Sequence, residues 1–271
     1  MYRLINILDI LSTHNTVKVS FLSETLNVSR ITLRKELNKL EKRGIIKCTR
    51  GHVSLDGADI TSKRLAFNHL IKRKIAKVAV ETIEEGETIM LESGSCCALF
   101  AEELILARKN VTIITNSMFI ANYVSNLSDI KIILLGGCFQ PDSQVLIGPM
   151  TTNCAESIYS DKFFIGADGF IPEQGFTCSD LLRVETTIGL AKRANKVFVL
   201  TESAKFNRRG TCSLIHMDKL AGVFTDDSIP KEAETALINN KVMLHKVFIS
   251  EEKIKWRQFP GHTPILYTEK E

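Results

Sequence analysis

The sequence has no apolar run long enough to cross a lipid bilayer. Its longest runs, at residues 130–135 and 163–167, are broken by Lys or Gly, whereas a membrane helix needs about 20 apolar residues. The first residues, from Met1 to Leu4, go straight into helical apolar spacing and lack the cleavage region of a signal peptide. We therefore expect a cytoplasmic protein without a membrane partner.

Cysteine is present, but its number and spacing argue against two structural uses. The seven cysteines are odd in number, and no two have the Cys-x-x-Cys spacing. This pattern disfavours a disulfide framework, and six scattered histidines disfavour a zinc site. The sequence also lacks both the P-loop pattern and Gly-x-Gly-x-x-Gly, which disfavours nucleotide binding. We expect no metal and no cofactor.

Positive charge is concentrated at the N-terminal end of the chain. Residues 1–75 hold 15 Lys and Arg against 6 Asp and Glu, a net charge of +9, whereas residues 76–271 hold 20 against 25, a net charge of −5. Eight basic residues lie between positions 30 and 50. A basic segment on an acidic body is typical of polyanion binding, although it also fits a solvated helix face.

The basic segment has the pattern of a helix-turn-helix. Apolar residues at helical spacing over 4–11 predict a first helix, and Ser20 can cap a second. After a tight turn, Ser29 can cap a third helix, whose buried stripe is Leu33, Leu37 and Leu40. Residues 45–48 and 52–55 alternate around a turn and predict a hairpin, the wing.

The outer side of the predicted third helix carries basic and hydroxyl side chains. In a helix-turn-helix such a helix enters the major groove, where Arg can pair bidentately with guanine. The predicted DNA contacts are Ser29, Arg30, Thr32, Arg34, Lys35, Asn38, Lys39 and, in the wing, Arg50. The alternative is a small helical subdomain with a solvated basic face, but capped turn, leucine stripe, outer charges and wing agree over about 40 residues.

Residues 22–44 resemble the DNA-binding signature of the deoxyribose-operon repressor (DeoR) family. The resemblance is carried by Leu22-Ser23-Glu24, Val28-Ser29, the run Thr32-Leu33-Arg34-Lys35-Glu36-Leu37, Leu40-Glu41 and Gly44. The family usually has two arginines and an Asp where this chain has Arg34, Lys35 and Glu36, which are mild changes. The wing departs further, because Arg50-Gly51-His52-Val53 stands where the family commonly has His-Gly-Gly-Ala.

The rest of the chain alternates between buried strands and amphipathic helices. Strands are predicted at 88–91, 111–115, 131–135, 162–167, 196–201 and 222–225, and helices between them at 96–107, 118–125, 150–159, 182–194 and 231–239. Such alternation implies a mostly parallel sheet covered by helices, an α/β, Rossmann-like domain. The predicted organisation is a winged helix-turn-helix at 1–57, a linker and connecting helix at 58–75, the α/β domain at 76–250 and a tail at 251–271.

Polar residues follow the predicted strands at the edge where open α/β sheets bind ligands. Gly94 with its hydroxyl neighbours opens a helix and suits a phosphate, because helix N-termini attract anions. Short polar chains follow the second strand, two glycines follow the third and a carboxylate follows the fourth. The candidate ligand residues from this pattern are Glu92, Gly94, Ser95, Thr115, Asn116, Ser117, Gly136, Gly137, Asp168 and Lys205.

These strand ends are similar, in order and spacing, to the sensor domain of the DeoR family. The resemblance covers about residues 3–240 and is carried by 91–95, 115–117, 134–137, 148–149, 161–169, 175–177 and 203–206. It implies a fold shared with ribose-5-phosphate isomerase and glucosamine-6-phosphate deaminase. It also implies a phosphorylated sugar as effector.

Several positions depart from the family's sensor pattern, among them Glu202, which stands for the Asp of an Asp-Ser-x-Lys string. Glu92 replaces the usual Asp, and Cys96 replaces a threonine, which weakens the predicted phosphate cup because a thiol is a poor donor. The family commonly has a lysine where this chain has Thr187, two residues after the retained Glu185, so one cation is missing. Cys96 and Glu185 join the candidate effector residues. The adjacent Cys96-Cys97 pair also invites a redox interpretation, but such pairs are usually small buried residues.

Three functions are compatible with these features. We favour a DNA-binding transcriptional regulator of a carbohydrate operon, a homo-oligomer (dimer or tetramer) that binds double-stranded operator DNA and whose repression a sugar phosphate releases. The second is a sugar-phosphate isomerase or deaminase, whose base would come from Glu92, Asp168, Glu185 or Glu202; the missing cation and the DNA-binding segment argue against it. The third, a general nucleic-acid-binding protein, leaves the polar strand ends unexplained.

Overall fold

The computed structural model describes residues 2–14, 16–42, 44–55, 64–107, 109–125, 127, 130–249 and, for the backbone alone, 254–257 and 265–268. The chain forms two compact units. The winged-helix unit contains residues 1–70 and 249–271, and the sheet unit contains residues 71–248. The boundary predicted between residues 57 and 58 lies outside the described residues. No described helix is long and apolar enough to pass through a membrane.

The winged-helix unit packs three helices on a small antiparallel sheet. Its elements are α1 (Tyr2–Thr13), β1 (Thr16–Lys18), α2 (Val19–Thr25), α3 (Arg30–Lys42), β2 (Ile46–Thr49) and β3 (His52–Leu55), with strand order β1-β3-β2. The predicted leucine stripe of α3 is buried, as are Leu8 and Leu22 on the other helices. Burial of these side chains removes apolar surface from water and holds the opposite face of α3 outward. The predicted winged helix-turn-helix is confirmed.

Two tight turns set the geometry of this unit. Between α2 and α3, Asn27 has a φ of 49°, and the Ser23 hydroxyl donates a 2.6 Å hydrogen bond to the Val28 carbonyl. Between β2 and β3, Arg50 and Gly51 have φ of 47° and 79°. Two successive positive φ values fit the twist of a two-residue hairpin. Arg50 therefore lies at the tip of the wing.

The sheet unit alternates strands and helices. Its elements are α4 (His69–Glu81), β4 (Thr88–Leu91), α5 (Ser95–Leu106), β5 (Thr112–Thr115), α6 (Met118–Val124), β6 (Lys131–Leu134), β7 (Cys138–Gln140), β8 (Val145–Ile147), α7 (Pro149–Cys154), β9 (Ser160–Ile165), β10 (Gly169–Ile171), β11 (Gly175–Cys178), α8 (Leu181–Ala191), β12 (Ala194–Leu200), β13 (Cys212–Ile215), β14 (Gly222–Asp226), α9 (Lys231–Asn239) and β15 (Met243–Val247). In the tail, the backbone of β16 (Ile254–Arg257) pairs antiparallel with β17 (Ile265–Thr268).

Seven strands form one parallel sheet in the order β15-β14-β12-β9-β4-β5-β6. One face carries Phe164, whose ring lies 4.3 Å from that of Phe100 on α5 and 5.3 Å from that of Phe198. The other face carries Phe163, Ile165, Val197 and Val199, which are buried in a cluster with residues of α8 and α9. Both faces are thus covered, as parallel sheets require, and the predicted Rossmann-like α/β class is confirmed.

Helix α5 has no solvent-exposed side. Residues 95–105 of this helix are all buried, including Glu102 and Glu103. Each of these carboxylates has a partner, because Tyr123 donates a 2.6 Å hydrogen bond to Glu102 and Arg73 of α4 pairs with Glu103. Buried charges are tolerated when they are paired in this way. Helix α5 is therefore fixed in the middle of the unit.

The observed secondary structure differs from the prediction mainly by several short strands that were not predicted. The helix predicted over 150–159 ends at Cys154, and five strands that were not predicted, β7, β8, β10, β11 and β13, form two small antiparallel sheets. These strands have three or four residues each, too few for a repeating pattern of burial. Their pairing is set by tertiary contacts rather than by local sequence.

Candidate DNA interface and ligand site

The predicted DNA contacts lie on one surface of the winged-helix unit. Thr32 is half-buried, and the other predicted residues of this group are exposed, namely Ser29, Arg30, Arg34, Lys35, Asn38, Lys39 and Arg50. A groove of about 840 Å³ runs between α3 and the wing, and its lining includes Arg30, Arg34, Lys35, Asn38 and Arg50. The basic side chains of this groove are exposed and do not take part in the hydrophobic core of the unit.

Three of the predicted contacts have other roles or positions. The Ser29 hydroxyl accepts a 3.2 Å hydrogen bond from the Thr32 backbone N–H and lies 2.9 Å from the Thr32 hydroxyl. Ser29 therefore caps α3, and the Thr32 hydroxyl contacts this cap. Lys39 lies outside the groove lining, with its ammonium 3.4 Å from the Glu36 carboxylate. Its side chain is 61% exposed, so this pair contributes little to stability.

The groove lining also includes residues that were not predicted as DNA contacts, and Ile31 is one of them. Ile31, on the first turn of α3, is 75% exposed and lines the groove beside Arg30 and Arg34. It lies off the stripe formed by Leu33, Leu37 and Leu40, which was the available signal in the sequence. An exposed apolar side chain at such a position suits contact with a thymine methyl group.

The sheet unit brings the polar strand ends to one edge. Leu91 of β4 is in register with Thr115 of β5 and Phe164 of β9, and β9 is followed in the order by β12 and β14. The residues that follow these strands therefore meet at the carboxyl edge of the sheet, in the crevice where ligands bind in this class of fold. Helix α5 begins at the centre of this edge.

Gly94 starts α5 from a conformation that side chains rarely adopt. Its φ is 124°, and a Cβ there would lie 4.0 Å from the Cα of Gly166. Among the described residues, no side chain caps the helix at this position. Ser95 and Cys96 form its first turn and are buried. The free N–H groups and positive dipole end of such a turn favour an anion.

On one side of this turn lies a buried ion pair that the sequence did not predict. Arg183 of α8 places its guanidinium 2.9 Å from the Glu92 carboxylate and donates a 2.9 Å hydrogen bond to the Ser93 hydroxyl. Ser93 in turn donates to Glu92 over 2.7 Å. The Glu92 carboxylate raises the pKa of Arg183 above its ordinary value, so the guanidinium stays charged. Asp168 lies near enough to act on the same group.

Two atoms of this pair keep unused hydrogen-bonding capacity. Among the described residues, neither Oε2 of Glu92 nor Nε of Arg183 has a partner, although both are buried. The Glu92 side chain is 3% exposed and that of Arg183 is 12% exposed. Buried polar atoms without partners are rare and costly, so these two atoms are positions where a further polar group, such as a water or a ligand, can bind.

On the other side of the turn lies a second charged cluster. The ammonium of Lys72, on α4, is 3.8 Å from the Glu202 carboxylate at the end of β12, and both side chains are almost completely buried. Asp226, the last residue of β14, accepts a 2.7 Å hydrogen bond from the Ser203 backbone N–H. Cys96 lies within electrostatic reach of these groups and of Lys205.

The thiol of Cys96 is protonated at neutral pH. Burial raises its pKa to about 12, and burial also raises the pKa of Cys97 well above its ordinary value. A thiolate is the reactive form of cysteine. These thiols therefore lack the low pKa that redox-sensing cysteines have, which supports the interpretation of the pair as small buried residues.

Of the remaining candidate residues, some are engaged in hydrogen bonds that hold the fold, and one keeps a polar atom without a partner among the described residues. The Thr115 hydroxyl donates to the Leu91 carbonyl over 2.8 Å, and Ser117 caps α6. Asn116 donates to the Leu146 carbonyl, and its Oδ1 is buried without a partner among the described residues. Asp168 accepts a 3.1 Å hydrogen bond from the Ser179 backbone.

Other predicted positions do not contribute to the strand-end edge, because one faces away from it and the glycines lie against α7. Glu185 is exposed on the outer side of α8, beside Glu156 and Lys192, whereas Thr187 is buried. At Gly137, a Cβ would overlap the side chain of Thr151 on α7, so the glycine is required for packing. Gly136 is near Cys154 of the same helix. Within the described ranges, no group of His, Cys, Asp and Glu is arranged to hold a metal ion.

Family models match both units of the chain. One described as a DeoR-like helix-turn-helix domain matches residues 3–58, and one described as the DeoR C terminal sensor domain matches residues 68–227. Together they cover the groove of the winged-helix unit and the carboxyl edge of the sheet.

Curated relatives are similar over most of their length. The HTH-type transcriptional regulator GolR of Listeria innocua is 32% identical, over 83% of this chain and 90% of that protein. The HTH-type transcriptional regulator IolR of Bacillus subtilis is 28% identical, over 86% and 94%. The L-fucose operon activator of Escherichia coli is 28% identical, over 86% and 96%. Among solved structures, a ribose 5-phosphate isomerase A from Methanocaldococcus jannaschii matches with a TM-score of 0.39 and 23% identity, over 51% of this chain and 55% of that one.

Proposed function

Because the chain belongs to the DeoR family of DNA-binding transcription regulators, we propose that it represses a carbohydrate operon in the cytoplasm until an anionic sugar binds to its sheet unit. One observation carries the DNA-binding part of this proposal. The buried leucines of α3 hold Arg30, Arg34 and Lys35 outward in a groove that the wing closes on its other side. Such a surface suits a major groove and its flanking phosphates.

A phosphorylated sugar is the proposed effector. The turn at Gly94 suits an anion. One oxygen each of Glu92 and Asn116 has no partner within the part of the chain that the structure describes, and these oxygens suit sugar hydroxyl groups. One relative is named for the operon of a sugar, the L-fucose operon activator of Escherichia coli. The named relatives are regulators and not enzymes, so we do not propose turnover of the sugar.

The ion pair of Lys72 with Glu202 offers a route from the effector to the DNA. Glu202 lies at the carboxyl edge of the sheet, and Lys72 lies on α4, the helix that follows the winged-helix segment in the chain. We infer that effector binding changes the position of α4 through this pair. In a dimer or tetramer, a shift of α4 in each copy would change the spacing of the two recognition helices and release paired half-sites.

Selection of duplexes from a randomised pool by the full-length protein tests this function. We expect one sequence with repeated half-sites to be enriched, and a sugar phosphate to release it. A thermal-shift screen identifies that sugar, because a ligand at one hundred times its Kd adds about 2.7 kcal/mol of stability. A bound pool without a preferred sequence would instead indicate a general nucleic-acid-binding protein. Isomerisation of the sugar or release of ammonia would indicate an enzyme.

Replacing Lys72 by methionine should weaken release more than effector binding. Without the ammonium, α4 loses its ionic contact with Glu202, so the effector no longer acts on this helix. We expect the ratio of operator affinities without and with effector to fall at least about 5-fold, measured by fluorescence anisotropy. Lys77→Met, which removes an exposed cation of the same helix, is the control. An unchanged ratio in Lys72→Met would contradict this route.

A further inference from the structure

We propose that Arg183 is the residue that recognises the anionic group of the effector and so determines which sugars the protein senses. This inference rests on the proposed function, because it concerns the same carboxyl edge of the sheet. It goes further in naming the cation and the orientation of the ligand. Arg183 was not among the residues expected from the sequence.

The position of Arg183 explains how the site keeps a cation although Thr187 has replaced the family's usual lysine. Residues 183 and 187 are four apart on α8, so they lie on the same side of the helix, one turn from each other. Val184, Thr187 and Leu190 are buried, which identifies this side as the one packed onto the unit. Arg183 therefore brings positive charge to the strand ends from one turn earlier.

Arg183 has hydrogen-bonding capacity that its described neighbours do not use. Its guanidinium is held by Glu92 and Ser93, while its Nε has no partner among the described residues. Oε2 of Glu92 is likewise without a partner there, and this side chain is 3% exposed. A guanidinium has five donors, more than these two neighbours use. The pair can thus take up additional hydrogen bonds without losing its own.

These free atoms define the chemistry and orientation of the ligand. Nε of Arg183 donates, so it can bind an oxygen of a phosphate or a carboxylate, and the planar guanidinium suits either anion. Oε2 of Glu92 accepts, so it can bind a sugar hydroxyl. The effector is then a polyhydroxylated anion whose anionic group lies against Arg183 and whose hydroxyl groups lie against Glu92. Sugar phosphates and aldonates share this chemistry.

The competing explanation is that Arg183 only neutralises the buried Glu92. The double variant Glu92→Gln/Arg183→Gln separates the two roles, because it removes both charges and leaves no unpaired one. Arg183→Lys is the second variant, since it keeps the charge and loses the planar group. Lys192→Gln removes an exposed cation just beyond α8 and serves as the control for net charge. Circular dichroism checks that each variant is folded.

Binding of hexose and pentose phosphates, the matching aldonates and the unmodified sugars is measured by titration calorimetry with the full-length protein. We expect the wild type and Lys192→Gln to bind one anionic sugar. We expect Arg183→Lys to raise its Kd about 10-fold and the double variant to raise it about 10- to 100-fold. The phosphate and aldonate arms identify the anion that Arg183 binds.

Three results would overturn the inference. If the double variant binds the anionic sugar as tightly as the wild type, Arg183 has only the neutralising role. If the wild type binds the unmodified sugar as tightly as the phosphate or the aldonate of that sugar, the site does not recognise the anionic group. If the wild type binds no member of the panel, the sugar effector of the proposed function fails as well, and this result differs from the first two because it appears before any substitution is made.

Discussion

Replacing Arg183 by alanine is expected to lower the free energy of unfolding by about 3–5 kcal/mol. The substitution removes the only described side chain that is within 4 Å of the Glu92 carboxylate and carries the opposite charge. It leaves the Glu92 carboxylate buried without a counter-ion, where water cannot solvate it. The cost is therefore set by the uncompensated charge more than by the lost hydrogen bonds. Urea unfolding of the full-length protein, followed by circular dichroism, measures the change.

Two control variants show whether the charge is the cause. Adding Glu92→Gln to Arg183→Ala should recover most of the lost stability, because the neutral amide needs no counter-ion. Lys192→Ala, at an exposed position, should change stability by about 0.5 kcal/mol or less. A loss of less than about 1 kcal/mol in Arg183→Ala would mean that solvent reaches Glu92.

Two single substitutions on α3 are expected to weaken operator binding in different ways. Arg34 lines the groove between α3 and the wing, where it can pair with a guanine, so Arg34→Ala should cost about 1–3 kcal/mol on the operator and relax the base preference. Lys39 lies outside that groove lining and is largely exposed. Lys39→Ala should weaken binding to all sequences and lower the salt slope by about one unit.

Anisotropy titrations at several salt concentrations, with the selected operator and with random duplexes, distinguish these effects. Each variant is the control for the other, because both lose one positive charge from the same helix. The ratio of operator affinity to random affinity should fall for Arg34→Ala and stay constant for Lys39→Ala. Equal losses on the two kinds of duplex in Arg34→Ala would show that Arg34 binds phosphate and reads no base.

The sequence predicted the elements that have a strong local pattern. The leucine stripe of α3 and the cap at Ser29 gave its position, and β4 was predicted with its observed bounds, Thr88–Leu91. These segments owe their structure to spacing, capping and burial, which are visible in the sequence itself. The order of polar strand ends likewise predicted that Glu92, Gly94 and Asp168 would share one edge of the sheet.

The cation at that edge could not be predicted from the same patterns. The resemblance drew attention to position 187, and an arginine at 183 had no feature to separate it from an ordinary surface residue. Its partner Glu92 lies 91 residues earlier in the chain, and only the packing of α8 brings the two together. Glu185 is the reverse case. It fits the family pattern and was predicted as a ligand residue, but its side chain is exposed on the outer side of α8.

The complete enclosure of α5 limits how this protein can respond to a small molecule. A helix without a solvent side cannot tilt or slide unless its neighbours repack, and the voids opened by such a movement would cost several kcal/mol. The first turn of α5 therefore keeps its position when a ligand binds against it. Any conformational signal has to begin in the side chains and helices at the rim, and amide hydrogen exchange in α5 should stay slow with and without the sugar.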